Sequence, residues 1–188
     1  MAAEAPLRET IRGVPVLGLA ASSGGGKTTL LAHLIPRLRM EGLRVGCIKH
    51  SHHAFEVDQP GKDSHRLRTA GASQIVLSGR GRWVLTTEHD DDAPLEALLE
   101  AMNLDVLDLV LVEGFRDAPI PRIGIHRAAP LAMPPETSEA GVIALVSDTT
   151  RLPNAAVPVF APDDVHSIAT FVLAHVRRLH LRPGRATA

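Results

Sequence analysis

The stretch Ala21-Ser-Ser-Gly-Gly-Gly-Lys-Thr28 constrains this chain more than any other eight residues. On one side of it lies a short apolar run, Val14-Pro-Val-Leu-Gly-Leu-Ala20, which reads as a buried strand. On the other side Leu30, Leu31, Leu34, Ile35 and Leu38 recur at helical spacing, predicting a helix from Lys27 to about Met40 with Gly42 just past its end. Pro36 inside the stripe should kink the last turns or end them early, because its ring removes a helical donor. Arg44-Val-Gly-Cys-Ile-Lys49 then reads as a second strand. Strand, glycine turn, helix, strand is a βαβ unit, with parallel strands and a right-handed crossover.

The eight residues match the phosphate-binding pattern G-x-x-x-x-G-K-[ST] except at the first position, where Ala21 stands for glycine. A methyl group there requires ordinary negative φ. Gly24, Gly25 and Gly26 can turn successive N–H groups inward and let phosphate oxygens approach the main chain. The helix start adds its partial positive charge. Lys27 should reach the β- and γ-phosphates, and Thr28 should offer its hydroxyl to Mg²⁺. A flexible Gly/Ser linker has the same composition, but a linker is not expected between a buried strand and an amphipathic helix. The expected nucleotide contacts are therefore Ser23, Gly24, Gly25, Gly26, Lys27, Thr28 and Thr29.

Farther along, a short helix is expected after Asp63 or Ser64, ending near Gly71, with strands at 74–78 and 83–87 and a helix at 94–102. Residues 107–112 form the strongest apolar strand of the second half. A possible edge strand follows at Arg122 to His126, then strands at 142–146 and 157–160 and a closing helix at 165–179. The fold expected is α/β, a three-layer P-loop NTPase-like single domain with a mainly parallel central sheet. Residues 1–13 are read as an N-terminal extension, 14–179 as the nucleotide-binding domain and 180–188 as a tail.

In such sheets ligands bind outside the carboxyl ends of the strands. Glu113, closing the apolar strand, would then lie beside the phosphate loop and hold Mg²⁺ together with Thr28, directly or through water. The plainer alternative is a charge where a strand meets solvent. Asp108 sits at the opposite end of that strand and reads as structural.

Lys49-His-Ser-His-His53, followed by Asp58 and Asp63, admits three readings. Imidazoles and carboxylates could hold Zn²⁺ or Ni²⁺, although the group contains no cysteine and no helical pair of histidines. The loop could equally clamp a phosphate or substrate with Lys49, Lys62 and Arg66. It could also be solvated surface. Composition bears on the second reading. The chain has 17 arginines and three lysines, Lys27, Lys49 and Lys62, all in segments that look chemical.

Residues 49–64, with Arg66 and Ala70-Gly-Ala72, resemble the signature of the molybdopterin-guanine dinucleotide biosynthesis adapter proteins, protein B. Val112-Glu-Gly-Phe-Arg116 and Pro121-Arg-Ile-Gly-Ile-His-Arg127 are similar to that family's later motif, and the likeness runs from about residue 14 to 175. Arg116 and Arg122 stand where many relatives would carry lysine, in keeping with the arginine bias. The resemblance implies a homodimeric GTP-binding protein, at most a slow GTPase, that assists a guanylyltransferase attaching GMP to molybdopterin. It gives Lys49, His50, His52, His53, Asp58, Lys62, Asp63 and Arg66 to a substrate or partner loop, with molybdopterin as a further ligand.

No N-K-x-D element for guanine is present. Asp148, following the apolar strand at 142–146, could accept from N1–H and the 2-amino group of guanine, or could simply cap the turn before Thr149. A formal net charge of -1 gives no polycation for nucleic acid, and no apolar run is long enough for a membrane span. A single cysteine, Cys47, fits a reducing compartment, so a cytoplasmic protein is expected. Two other functions use the same loop. One is a small-molecule kinase or ATP-dependent ligase with Asp58 or Asp63 as base. The other is a metal-delivering GTPase chaperone using His50, His52 and His53.

Overall fold

The computed structural model describes residues 6–21, 25–51, 57–126, 141–149 and 156–181. Their elements run β1 (Thr10–Ile11), β2 (Val14–Ala20), α1 (Lys27–Met40), β3 (Val45–Lys49), α2 (Asp63–Thr69), β4 (Gln74–Gly79), β5 (Arg82–Thr87) and α3 (Leu95–Ala101). A 3₁₀ turn at Leu104–Val106 precedes β6 (Leu109–Glu113), β7 (Arg122–His126), β8 (Val142–Ser147), β9 (Val159–Phe160) and α4 (Val165–His180). The chain gathers into two compact units. One holds Met1–His50 with Leu98–Ala188, and the other Ser51–Ala97.

The first unit is built on a seven-stranded sheet of order β3-β6-β2-β7-β8-β9, every neighbouring pair along it parallel, with β1 added antiparallel to β2. Helices α1 and α4 pack on one face. There Leu30, Leu31, Leu34 and Leu38 of α1 and Ile168, Val172 and Val176 of α4 meet Leu17, Leu19, Leu109 and Leu111 of the strands. The pleat sends Val16, Val110 and Val112 to the opposite face, where they are also fully buried. Burial on both faces explains why β2 and β6 read as unbroken apolar runs instead of alternating ones. Each leucine so buried contributes about 1.5–3 kcal/mol.

Helix α1 does not stop at Pro36; it continues to Met40, and Leu38 beyond the proline is fully buried. Packing of Leu34 and Leu38 outweighs the one hydrogen bond that proline removes. The clamp at the foot of the sheet is Asp108. Its Oδ2 accepts the Arg44 backbone N–H at 2.8 Å and Nε at 2.9 Å, and its Oδ1 accepts Nη2 at 2.9 Å, so the starts of β3 and β6 are tied together. The structural role read for Asp108 holds.

Segment 122–126 is not an edge strand. It lies inside the sheet, parallel to both β2 and β8, and four of its five residues are buried. The proline-rich stretch around it gave it the look of an edge. Pro121 in fact precedes the strand, where a missing donor costs nothing, and its carbonyl accepts the Gly18 N–H at 2.8 Å. The buried Arg122 guanidinium donates to the carbonyls of Arg116, Ala118 and Ile120, so its polarity is used within the fold. Gly124 makes room for Leu145, whose Cδ2 would lie 2.7 Å from an added Cβ.

In the second unit, Lys62 and not Asp63 or Ser64 is the cap position of α2, and Asp63 is its first residue. Strands β4 and β5 form an antiparallel hairpin, Gln74 opposite Thr87 and Gly79 opposite Arg82, turning at Gly81 with φ 77°. Val76, Leu77, Trp83 and Leu85 of this hairpin are exposed.

Candidate phosphate-loop site

The site is assembled at the carboxyl ends of β2, β6 and β3, where Leu19, Glu113 and Lys49 stand in register across the three strands. Gly26 ends the phosphate loop with φ 88°, a left-handed value natural to glycine, and its carbonyl accepts the Leu30 N–H at 2.9 Å to start α1. Lys27, the first helical residue, donates its ammonium to the Ala21 carbonyl at 3.1 Å, folding the side chain back toward the end of β2. Thr28 follows, and its hydroxyl lies 3.0 and 3.1 Å from the two carboxylate oxygens of Glu113.

Glu113 is only 8 % exposed although it ends a strand. A buried carboxylate needs a donor and a counter-charge. Thr28 supplies the first. The second comes from Lys49, whose Nζ is 3.4 Å from Thr28 Oγ1 and 3.9 Å from Glu113 Oε1. Cys47, two residues earlier on β3, has its thiol pKa raised, by burial first and by the Glu113 charge second, with Lys49 opposing. The thiol therefore stays protonated near neutrality and is a poor nucleophile.

The turn after Glu113 is pinned from the β3 side. His50 N–H donates to the Glu113 carbonyl at 2.8 Å, and the His50 ring lies 4.7 Å from that of Phe115, tilted by 41°. Gly114 has φ 103°, and a Cβ there would come within 2.7 Å of His50 Cβ. Phe115 also has positive φ, 49°. Both are sharp backbone settings directly behind the carboxylate. Sequence reading found Glu113 but not this pinning, because nothing in the residue types of His50 or Phe115 announces a backbone clasp.

The expected contacts divide by location. Gly25, Gly26, Lys27, Thr28 and Thr29 sit at the start of α1, while Ser23 and Gly24 lie outside the described residues. Thr28, Glu113 and Lys49 are brought together, with His50 bonded behind them. Asp148 directly follows β8 on the same carboxyl-end rim, two strands from β2, a lateral step of about 10 Å. Beside it the buried Ser147 hydroxyl accepts the Thr149 N–H at 3.1 Å. His52 and His53 lie outside the described residues. Asp58, Lys62, Asp63 and Arg66 belong to the second unit. There Asp58 pairs with Arg68 at 3.3 Å, an arginine the sequence reading did not single out, and Asp63 with Arg66 at 3.9 Å. Among the described residues no group of three His, Cys, Asp or Glu could hold a metal ion. Nor is any described helix long and apolar enough to cross a membrane.

A parallel sheet with a glycine-rich turn between its β2 strand and the following helix, and a carboxylate on the adjacent strand end, defines the P-loop NTPase-like class of fold. The family model of MobB, molybdopterin guanine dinucleotide synthesis protein B, matches residues 16–148. A molybdopterin-guanine dinucleotide biosynthesis adapter protein of Escherichia coli is 42% identical over 168 residues, covering 88% of this chain and 95% of that protein. The protein of the same name from Haemophilus influenzae is 46% identical over 126 residues, covering 67% and 71%. The crystal structure of Bacillus subtilis MobB superposes with a TM-score of 0.68 at 28% identity, over 86% of this chain and 97% of that one. The chain belongs to the MobB family, and so to molybdopterin guanine dinucleotide biosynthesis.

Proposed function

We propose that the chain binds GTP with Mg²⁺ and serves as an adapter for the guanylyltransferase that joins GMP to molybdopterin. The observation that carries this reading is the Thr28 hydroxyl set 3.0–3.1 Å from the Glu113 carboxylate at the mouth of a glycine-rich loop. Hydroxyl and carboxylate oxygens are the hard donors that Mg²⁺ prefers, so the pair fits that ion. When bound, Mg²⁺ would neutralise charge on the phosphate oxygens; Thr28 and Glu113 are the residues that would hold it. The loop amides and Lys27 bind the phosphate tail, and Asp148 reads the guanine edge. Arg66 and Arg127 are the candidates for a cation acting across a dimer; the sequence carries no glutamine next to the phosphate loop to orient water, so hydrolysis is expected to be weak.

The remaining assignments rest on the family's expected properties. Lys62, Asp63 and Arg66, with His52 and His53, belong to the surface that meets molybdopterin or the partner enzyme, in the cytoplasm. The kinase or ligase reading is not favoured: Asp58, one of its two bases, is largely buried and held by Arg68. No observation favours metal delivery.

Isothermal titration calorimetry with GTP and ATP in magnesium buffer tests the reading. GTP should bind, and Lys27→Ala should weaken it at least tenfold, since a charge-assisted contact is worth roughly 1.5–3 kcal/mol. No heat and no thermal upshift with either nucleotide would sink it. Asp148→Ala should level the GTP:ATP affinity ratio; an unchanged ratio removes Asp148 from base recognition.

A further inference from the structure

We infer that Lys49 is an internal counter-cation of the phosphate site, holding the place of the metal when none is bound and allowing nucleotide to enter without it. The inference rests on the nucleotide reading above and deepens it. It starts from three distances. The Lys49 ammonium lies 3.4 Å from the Thr28 hydroxyl, 3.9 Å from a Glu113 carboxylate oxygen, and the hydroxyl and carboxylate are themselves 3.0–3.1 Å apart. One positive charge thus sits against both oxygen donors a divalent cation would use.

The arrangement follows from the sheet. Lys49 ends β3 opposite Glu113, and the pleat puts both side chains on the face from which α1 rises. Glu113 is fixed there, with a side chain only 10% exposed, whereas that of Lys49 is 58% exposed on a four-carbon stem. The carboxylate cannot leave, so its counter-charge must come to it. An ammonium and a divalent cation sharing the same two oxygens repel each other at these separations. The mobile partner is Lys49, whose exposed ammonium is free to turn from the carboxylate to a phosphate oxygen bound beside Thr28. Lys49 therefore pairs with Glu113 in the empty site and with the phosphate tail in the filled one. An arginine, with a broad and more weakly hydrated head, would hold the carboxylate but exchange less readily. That fits one of only three lysines in a chain that otherwise uses arginine.

The test is calorimetric titration of GTP into wild type, Lys49→Ala and Lys49→Arg, each in magnesium buffer and in EDTA. Wild type should bind more weakly in EDTA but measurably. Lys49→Ala should lose affinity in both buffers, and at least tenfold more in EDTA. Lys49→Arg, which keeps the charge but exchanges less readily, should recover only part of the metal-free binding, which still separates charge from fold damage. A Lys49→Ala ratio of affinities between the two buffers matching that of wild type overturns the counter-cation alone. So does a wild type that binds in magnesium and not at all in EDTA. No binding by wild type in either buffer overturns the nucleotide reading together with it.

Discussion

Single residues in this molecule earn their positions by charge neutralisation, and the clearest stability effect is at Asp108. Its carboxyl is held below the ordinary carboxylate range by hydrogen bonds from Arg44. A depressed pKa means the carboxylate stabilises the fold at every pH above the unfolded value near 4, and the contribution fades as pH falls through the lower folded value. Asp108→Asn should thus cost up to about 1 kcal/mol at pH 7, solvent screening of the half-exposed Arg44 keeping it modest. The difference from wild type in urea midpoints should shrink as pH falls below the unfolded carboxylate value; a difference that stays constant down to acid unfolding refutes the assignment. Of the site residues, Lys27 and Thr28 were legible from phosphate-loop spacing and Glu113 from closing an apolar strand, and the structure brings Thr28 and Glu113 together. Lys49 was legible as a chemical lysine but not as a neighbour of Thr28. That proximity depends on β3 pairing with β6, a long-range register that local sequence does not encode.

Elements were legible where their periodicity was long, as in α1, α4, β2 and β6. The misreading of β7 shows where such logic stops. A strand in a proline-rich stretch reads as an edge until its partners are known, while Arg122 and Gly124 turn out to serve packing inside the sheet. Gly124→Ala should cost about 1–3 kcal/mol by forcing Leu145 out of place within the sheet. Chemical denaturation measures it, and a loss under 0.5 kcal/mol would mean Leu145 yields freely. The two-residue β1 and the 3₁₀ turn at Leu104–Val106 carry too few side chains to show any period. Helix α1 runs to Met40 as its leucine spacing predicted, and the two buried leucines flanking Pro36 carry it past the early end that the proline alone would favour. Leu34→Ala should cost about 2–5 kcal/mol, read by the same denaturation curves.

At the scale of the whole molecule, the hairpin β4–β5 is the feature most in need of a partner. Two strands alone are marginal in water, and this pair shows Val76, Trp83 and Leu85 on one face and Leu77 on the other. A second copy is the partner most easily satisfied, since antiparallel strands pair with themselves about a two-fold axis. If a homodimer forms as the family resemblance implies, this hairpin is the surface that mutation can test. Val76→Glu with Leu85→Glu should shift sedimentation from dimer to monomer, while a wild-type chain that sediments as monomer would end the idea. The turn behind Glu113 has a different reach. Because the His50 amide holds the Glu113 carbonyl, and no side chain fits at Gly114 between them, the start of the histidine-rich loop and the end of β6 form one mechanical piece. Free-energy linkage then runs both ways between these two residues: an event that displaces His50 perturbs the affinity at the carboxylate, and occupancy at the carboxylate biases His50 by the same factor.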